Sequence, residues 1–406
     1  MTIFVTICSV ICTLYTVYFL FTSFGGLLRK RRPTPRCEAK YRLAAVIPAR
    51  NEAAVIGKLV ESLLAQDYPR ELFDIYVVPN NCDDDTGAVA EAAGAKLLSV
   101  EGPIHTKGEV LRQVFAQLSA TGKYDAYCVF DADNLVDKGF LQAANDALAA
   151  GWQVGQGYRD TKNPFDNWVA AGLTVWYWFL SRFYNESRSR LGMSCQLNGT
   201  GTMVSDAVIR RIGWNTQTLV EDQEFTALCA LNDIKVGWMP DARIYDEQTN
   251  DFWTSCVQRR RWTAGSMQCM RRYTLKLLKK HTTASIDMAM LFTGNLMCIL
   301  SLIPATGTVL GLMPFFISHP WRILALVLVL GVYYLACCGA AAVLYHIEGK
   351  LNMRGFEGVM CFPLFMLTWM PVNIVACVTP PPKWRQIRHT RGIDRPDNDA
   401  QGHKSI

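Results

Sequence analysis

Residues 125–134, DAYCVFDADN, decide how the chain is read. Ala126 to Phe130 form a short, unbroken run of aromatic, β-branched and small apolar residues, as in a strand buried on both faces. The run ends abruptly in Asp131-Ala132-Asp133-Asn134. In an extended segment two carboxylates one residue apart project to the same side. There they can hold Mg2+ or Mn2+ together with a diphosphate, because such an ion keeps several ligands from substrate and water. The plain alternative is a solvated turn.

Working outward, the same strand-then-polar-loop pattern repeats between about residues 38 and 250. RLAAVIP is followed by AAVIGKLVESLLAQ, FDIYVVP by DTGAVAEAAGA, AKLLSV by KGEVLRQVFAQL, and DAYCVF by GFLQAANDALAA. Strand alternating with helix predicts an α/β domain with a mostly parallel sheet covered on both faces. Ligands in such sheets bind beyond the carboxyl ends of the strands. Those ends are polar here: PARNE after the first strand, NNCDDDT after the second, DADN after the fourth. No GxGxxG follows the first strand and no GxxxxGK[ST] occurs, which excludes the usual dinucleotide and P-loop signatures.

The flanks are of another character. Residues 3–24 are uncharged and long enough to cross a bilayer, and further apolar blocks lie at about 285–313, 321–346 and 357–378. Neither a basic stretch before residues 3–24 nor a small-residue cleavage site behind them is present, so an anchor is expected there, not a signal peptide. The basic LLRKRRPTPR that follows places the next domain on the cytosolic side. The net charge of +6 gathers beside the apolar segments, as at a lipid surface and unlike a nucleic-acid-binding face. Fourteen scattered cysteines without a CxxC pair are read as reduced thiols, not structural zinc ligands.

The expected organisation is a transmembrane anchor over 1–28, a catalytic domain over 38–250, an interfacial amphipathic helix over 251–282, a transmembrane region over 283–380 and a basic cytosolic tail over 381–406. Three single crossings after a cytosolic domain would leave that basic tail outside, against the charge rule. Either 285–318, interrupted by Pro304 and Pro314, crosses twice, or 357–378, with Pro363 and Pro371, does not fully cross.

VIPARNE, NNCDDDT, Lys107 in HTKGEVL, DADN, NGTGTMVS, VEDQEF and QRRRW occur in an order and at a spacing that resemble the membrane-integrated processive members of glycosyltransferase family 2, the group of cellulose, chitin and hyaluronan synthases. The resemblance covers about residues 42–265 and implies a GT-A nucleotide-sugar-binding fold in a multi-pass protein of the cell membrane. It implies that Asp131 and Asp133 contact metal and nucleotide, Asp84 the base or ribose, and Lys107 the diphosphate. Asp222 stands at the position of the catalytic base beside Glu221. Arg261 stands at that of the pyrophosphate-binding arginine and Trp262 at that of an acceptor-site residue, with Gln258 opening the QxxRW motif. Substrate contacts are further implied for Pro48, Arg50 and Glu52, for Asn80, and for Gly199, Thr200 and Gly201. Asn80-Asn81 replaces the aspartate usual before the cysteine. Arg259 and Arg260 are expected to touch lipid headgroups or carboxylates.

These residue types suit the chemistry. Expelling a nucleoside diphosphate from a sugar carbon builds charge that a metal and fixed guanidinium groups stabilise, and a carboxylate accepts the incoming hydroxyl's proton. A single base without a second carboxylate nucleophile predicts inversion. The main expectation is extension of a β-linked polysaccharide from a UDP-sugar, with Asn295, Tyr333, Tyr334, Trp369 and Asn373 lining a path or only packing. The alternative is transfer of one sugar to a membrane lipid, as in ceramide glucosyltransferases. A binding protein without turnover would need no proton acceptor.

Overall fold

The computed structural model describes residues 2–31, 33–318 and 322–381, so all but the first residue of the basic tail lies outside it. After a helix α1 (Thr2–Phe24) the chain alternates as its pattern predicts: β1 (Leu43–Ala49), α2 (Ile56–Leu64), β2 (Phe73–Pro79), α3 (Thr86–Ala92), β3 (Lys96–Leu97), α4 (Lys107–Ala120), β4 (Ala126–Val129), β5 (Leu135–Val136), α5 (Phe140–Ala149) and β6 (Val154–Thr161). There follow α6 (Trp168–Phe179), a π-helical stretch (Leu180–Glu186), α7 (Ser187–Leu191), β7 (Thr202–Ser205), α8 (Asp206–Ile212), α9 (Glu221–Leu231) and β8 (Val236–Asp246).

The eight strands lie in the order β3-β2-β1-β4-β7-β6-β8-β5. β1 to β4 are mutually parallel, but β7 runs antiparallel to both β4 and β6. The sheet is mostly parallel, as expected, and the reversal at β7 has a consequence for chemistry. Because β7 runs backwards, its entry loop, residues 198–201, sits beside the exit of β4, where Asp131 lies; Gly201 N donates to Val129 O at 2.9 Å. One face of the sheet packs on α2, α3 and α5 through Leu59, Leu63, Phe140 and Leu141. The other face buries Phe115, Trp178, Trp214 and Phe225 and runs on into residues of the C-terminal helices, Ala341, Leu344 and Tyr345.

Past the sheet come α10 (Phe252–Lys280), α11 (Thr283–Leu300), α12 (Leu302–Ser318), α13 (Arg322–Ile347), α14 (Phe356–Leu367) and α15 (Trp369–Val378). Among the described residues four segments are long and apolar enough to cross a membrane: Ile3–Leu28, Thr283–Thr308, Leu326–Ile347 and Met353–Val378. α1, at ~1.5 Å per residue, matches a hydrocarbon layer of about 30 Å. Its exposed Ile3, Phe4, Leu14 and Phe21 suit a lipid solvent.

Buried ion pairs fasten these helices to the domain. Arg188 of α7, fully buried, donates to both carboxylate oxygens of Asp287 on α11, at 2.8 and 3.1 Å, and to Thr22 of α1. Removing one member of such a pair costs about 3–5 kcal/mol, because the other is left charged and dry. The loop after α13 docks in the same manner: Glu348 accepts from Arg182 and Tyr158, and Lys350 pairs with Asp160 at 2.8 Å. At the far end of α15, Arg260 donates to Thr379 Oγ1 and Pro380 O at 2.9 and 3.0 Å. Both ends of α14–α15 are thus tied to the domain. Between them Phe365 lies against Gly172 of α6, where a Cβ would come within 2.4 Å of its ring.

Candidate active site

The polar loops at the carboxyl ends of β1, β2 and β4, the loop before β7, the start of α9 and the first half of α10 surround one cavity of about 1390 Å3. Pro48, Arg50, Glu52, Asn80, Lys107, Asp131, Asp133, Gly199, Glu221, Asp222, Gln258, Arg261 and Trp262 all line it. Three residues of the same expectation do not. Asp84 instead accepts from the amides of Ala53 and Thr86. Thr200 accepts from Asp131 N at 3.1 Å and bonds Asn134, so it holds the loop that carries the acidic pair. Gly201 extends the ladder at Val129.

At the centre is a knot of charge. Thr106 caps α4 with a reciprocal bond from Glu109, which fixes Lys107 as the first helical residue. Its Nζ donates to Asp131 Oδ1 at 2.5 Å and to Gly199 O at 2.6 Å, with Glu221 Oε1 at 3.8 Å. Burial alone would depress the Lys107 ammonium, but Asp131 and Glu221 outweigh it and its pKa is raised. Asp222 stands in the first turn of α9. Burial, reinforced by repulsion from Glu221, pushes its carboxyl up to about 7, the range suited to a general base near neutral pH. Gly199, at φ +83°, lets the backbone come close: a Cβ there would stand 3.4 Å from Asp222 Oδ2.

Asp131 and Asp133 offer hard carboxylate oxygens on the cavity wall, the donor type that Mg2+ or Mn2+ prefers. Among the described residues no group of three or more His, Cys, Asp or Glu side chains is placed to hold a metal. The pair therefore fits an ion that draws most of its shell from substrate and water.

Several lining residues were not anticipated. Arg159, on β6, pairs with Asp246 through Nε at 2.8 Å and through its terminal nitrogen, donates to Asn198 O at 2.8 Å, and lies 3.9 Å from the Tyr177 ring centroid. A lone arginine in a strand buried along its whole length was the available signal. Glu247, beside it, has a buried carboxylate oxygen with no partner among the described residues. His105 also lines the cavity.

The three arginines of QRRRW part company because successive helical residues turn by about 100°. Only Arg261 faces the cavity. Arg260 reaches Thr379 and Pro380. Arg259 corrects the expectation of headgroup contact: it is fully buried, donates to Thr368 at 2.7 Å, and its guanidinium lies over the rings of Phe365 and Trp369. Trp262 stacks on Trp369, centroids 6.4 Å apart, and meets Tyr177 edge-on. Of the residues expected along a path, Asn295, Tyr333, Trp369 and Asn373 line the cavity, whereas Tyr334 donates to Met360 O instead.

The family model described as "Glycosyltransferase like family 2" matches residues 41–265, more than half of the chain. Beta-monoglucosyldiacylglycerol synthase of Synechocystis sp. is 27% identical over 231 residues, 55% of this chain and 47% of that protein, so the match spans about half of that relative's length. Cellulose synthase 1 catalytic subunit of Komagataeibacter xylinus is 26% identical over 289 residues, 64% of this chain and 36% of that one. Among solved structures a mannosyltransferase of Pyrobaculum calidifontis, in complex with GDP-Man and Mn2+, superposes with a TM-score of 0.59 at 14% identity, over 91% of this chain and 99% of that one. At that identity the likeness speaks for the fold, which is of the GT-A type, a nucleotide-sugar domain followed by apolar helices.

Proposed function

This chain belongs to glycosyltransferase-like family 2, and from that premise we propose that it transfers a single sugar from a nucleoside diphosphate donor to a membrane lipid, inverting the anomeric carbon. The observation that carries this reading is the continuity of the cavity. It begins at Asp131 and Asp133 and ends against Phe19, Leu20 and Phe24 of α1, Phe179 and Leu180 after α6, and Leu291 of α11. Such a wall suits acyl or other hydrocarbon chains. A growing polysaccharide, rich in hydroxyls, would leave most of them without partners there. The relative named beta-monoglucosyldiacylglycerol synthase supports the same choice, and extension of a β-glycan is the reading it displaces.

In this reading Pro48, Arg50, Glu52 and Asn80 border the nucleotide, and Lys107 and Arg261 face its diphosphate. Arg50 donates to Asn80 Oδ1 at 2.8 Å, which sets the floor of that subsite. A divalent ion bound at Asp131 and Asp133 would supply Lewis-acid stabilisation of the departing diphosphate. Asp222 takes the proton of the attacking hydroxyl, and Trp262 packs against the acceptor. The chain crosses the membrane at α1, at α11–α12 and at α13, while α14–α15, tied to the domain at Lys350 and at Thr379, lies along the interface. That arrangement brings Pro380 to the catalytic side.

The test is product size. The full chain, reconstituted in lipid vesicles with a panel of UDP-sugars, GDP-mannose and Mn2+, is expected to yield a glycolipid carrying one sugar. A ladder of water-soluble oligosaccharides would overturn the reading.

A further inference from the structure

Resting on the lipid-acceptor reading and narrowing it, we propose that the acceptor is an electrically neutral lipid bearing a free hydroxyl, not a lipid phosphate, and that the indole N–H of Trp369 holds its headgroup. The charges of the cavity are confined to one half. Among the described residues every charged side chain that lines it belongs to the strand-end loops, to β6 and β8 through the mutually paired Arg159 and Asp246, to α4, to α9 or to the first half of α10 with the loop before it, and these surround the donor position. The membrane-facing half is lined from α1, α6 and the π-helical stretch, α11, α13, α14 and α15. Among the described residues those elements contribute only apolar, hydroxyl, thiol, amide and indole groups, none of them charged.

Two arginines stand behind that wall, and neither is available to a ligand. Arg188 is spent on Asp287 and Thr22. Arg259 is enclosed by Ser255 O, Thr368, Cys256 and two aromatic rings. A phosphate monoester entering this half would bring close to two negative charges into a dry compartment with no cation to meet them. A hydroxyl brings none.

Where the halves join, two polar atoms are left over. Trp369 Nε1 and Gln258 Oε1 are buried and have no partner among the described residues, and both residues line the cavity. An indole N–H is a donor only, and an amide oxygen an acceptor only. One lipid hydroxyl can accept from the first, and a hydroxyl or amide N–H of the same headgroup can donate to the second. Trp369 is held for this task between two rings, stacked on Trp262 with centroids 6.4 Å apart and tilted against Trp176 at 5.2 Å. Lipid enters from the side: Leu20 and Phe24 of α1 and Tyr333 of α13 line the cavity and are also exposed on the outer surface of the helices. In the transfer, the lipid O–H bond breaks and its oxygen bonds to the anomeric carbon. The bond from that carbon to the diphosphate oxygen breaks with its electron pair leaving on the nucleotide, and the proton passes to Asp222.

The full chain is assayed with labelled donor sugar and Mn2+ in phosphatidylcholine vesicles containing diacylglycerol, ceramide or undecaprenyl phosphate. Label on a neutral hydroxyl lipid, with none on undecaprenyl phosphate, is the expected result. Label on undecaprenyl phosphate would overturn the charge inference and leave lipid transfer standing. A soluble polymer with no labelled lipid would sink both. Release of nucleotide with every lipid unlabelled would overturn this proposal. Trp369→Phe keeps the stacking and removes the N–H, so the KM for the accepted lipid should rise about fivefold while the KM for the donor stays put. An unchanged lipid KM would remove Trp369 from the headgroup site.

Discussion

The cavity has two halves that were built by different rules. Around Asp131 the wall is made of loops that leave a sheet, and it holds Arg50, Lys107, Arg159 and Arg261 among six carboxylates or more. Around Trp369 the wall is made of helices, and it carries no charge among the described residues. The first half keeps its charges in register by pairing them with each other, as Lys107 does with Asp131 and Arg159 with Asp246. The second half keeps charges behind the lining, in the Arg188–Asp287 pair and the ring-covered Arg259, and Arg159, which lies over the Tyr177 ring at its border, is paired with Asp246. The difference teaches that one cavity can serve an anionic donor and an apolar acceptor if the helix at the seam, α10, turns one face to each. Arg261 and Trp262, neighbours in sequence, stand at that seam.

The comparison breaks most visibly at the base. Asp222→Asn is expected to lower kcat by about 10²–10⁴-fold while donor affinity, read by calorimetry with a nucleoside diphosphate, is kept; retained turnover would show that the proton leaves elsewhere. Next, Arg261→Ala should cost about 10²-fold in kcat, with a lesser effect on lipid KM. A loss confined to lipid KM would move this side chain from the donor half to the acceptor half.

The pH profile sharpens the division further. The Asp222 carboxyl, raised to about 7, must be ionised to accept a proton. Below that value kcat/KM should therefore fall about tenfold per pH unit, and above it the profile should level. A limb near the ordinary carboxylate range would contradict the buried environment of Asp222. The smallest effect is expected from Trp262→Leu, about a five- to tenfold rise in lipid KM through loss of the aromatic face, measured at saturating donor.

Much of the donor half was legible before any coordinates. Strands leave their boundaries in local composition, and polar loops after such strands sit at one edge of a sheet whatever the rest of the chain does. Asp131 and Asp133 were read on that basis, Lys107 and Asp222 through the family resemblance alone, and all four line the cavity. Thr200 and Asp84 were placed among substrate contacts, yet they brace the loops, because a motif records which residues recur and not which way each one points. Arg159 and Tyr177 carry no motif: the pairing of β6 with β7 brings the first beside the loop before β7, and α6 lays the ring of the second against its guanidinium. Trp369 was read as either path or packing, and the choice depended on the neighbours of α15.

What the sequence determined alone is the alternation of strand and helix, the acidic pair ending a strand, and enough apolar length for several membrane crossings. These are properties of spacing, and spacing is local. Tertiary structure decided the rest: that β7 runs backwards and so presents Gly199 to Asp222, that one arginine of three faces the cavity, that α14–α15 packs back against α10, and that the helical wall of the cavity is uncharged among the described residues. Each of these depends on which distant segment fills the space beside a residue. A periodicity fixes a side chain's direction relative to its own helix or strand, but its surroundings come from contacts between segments far apart in the chain.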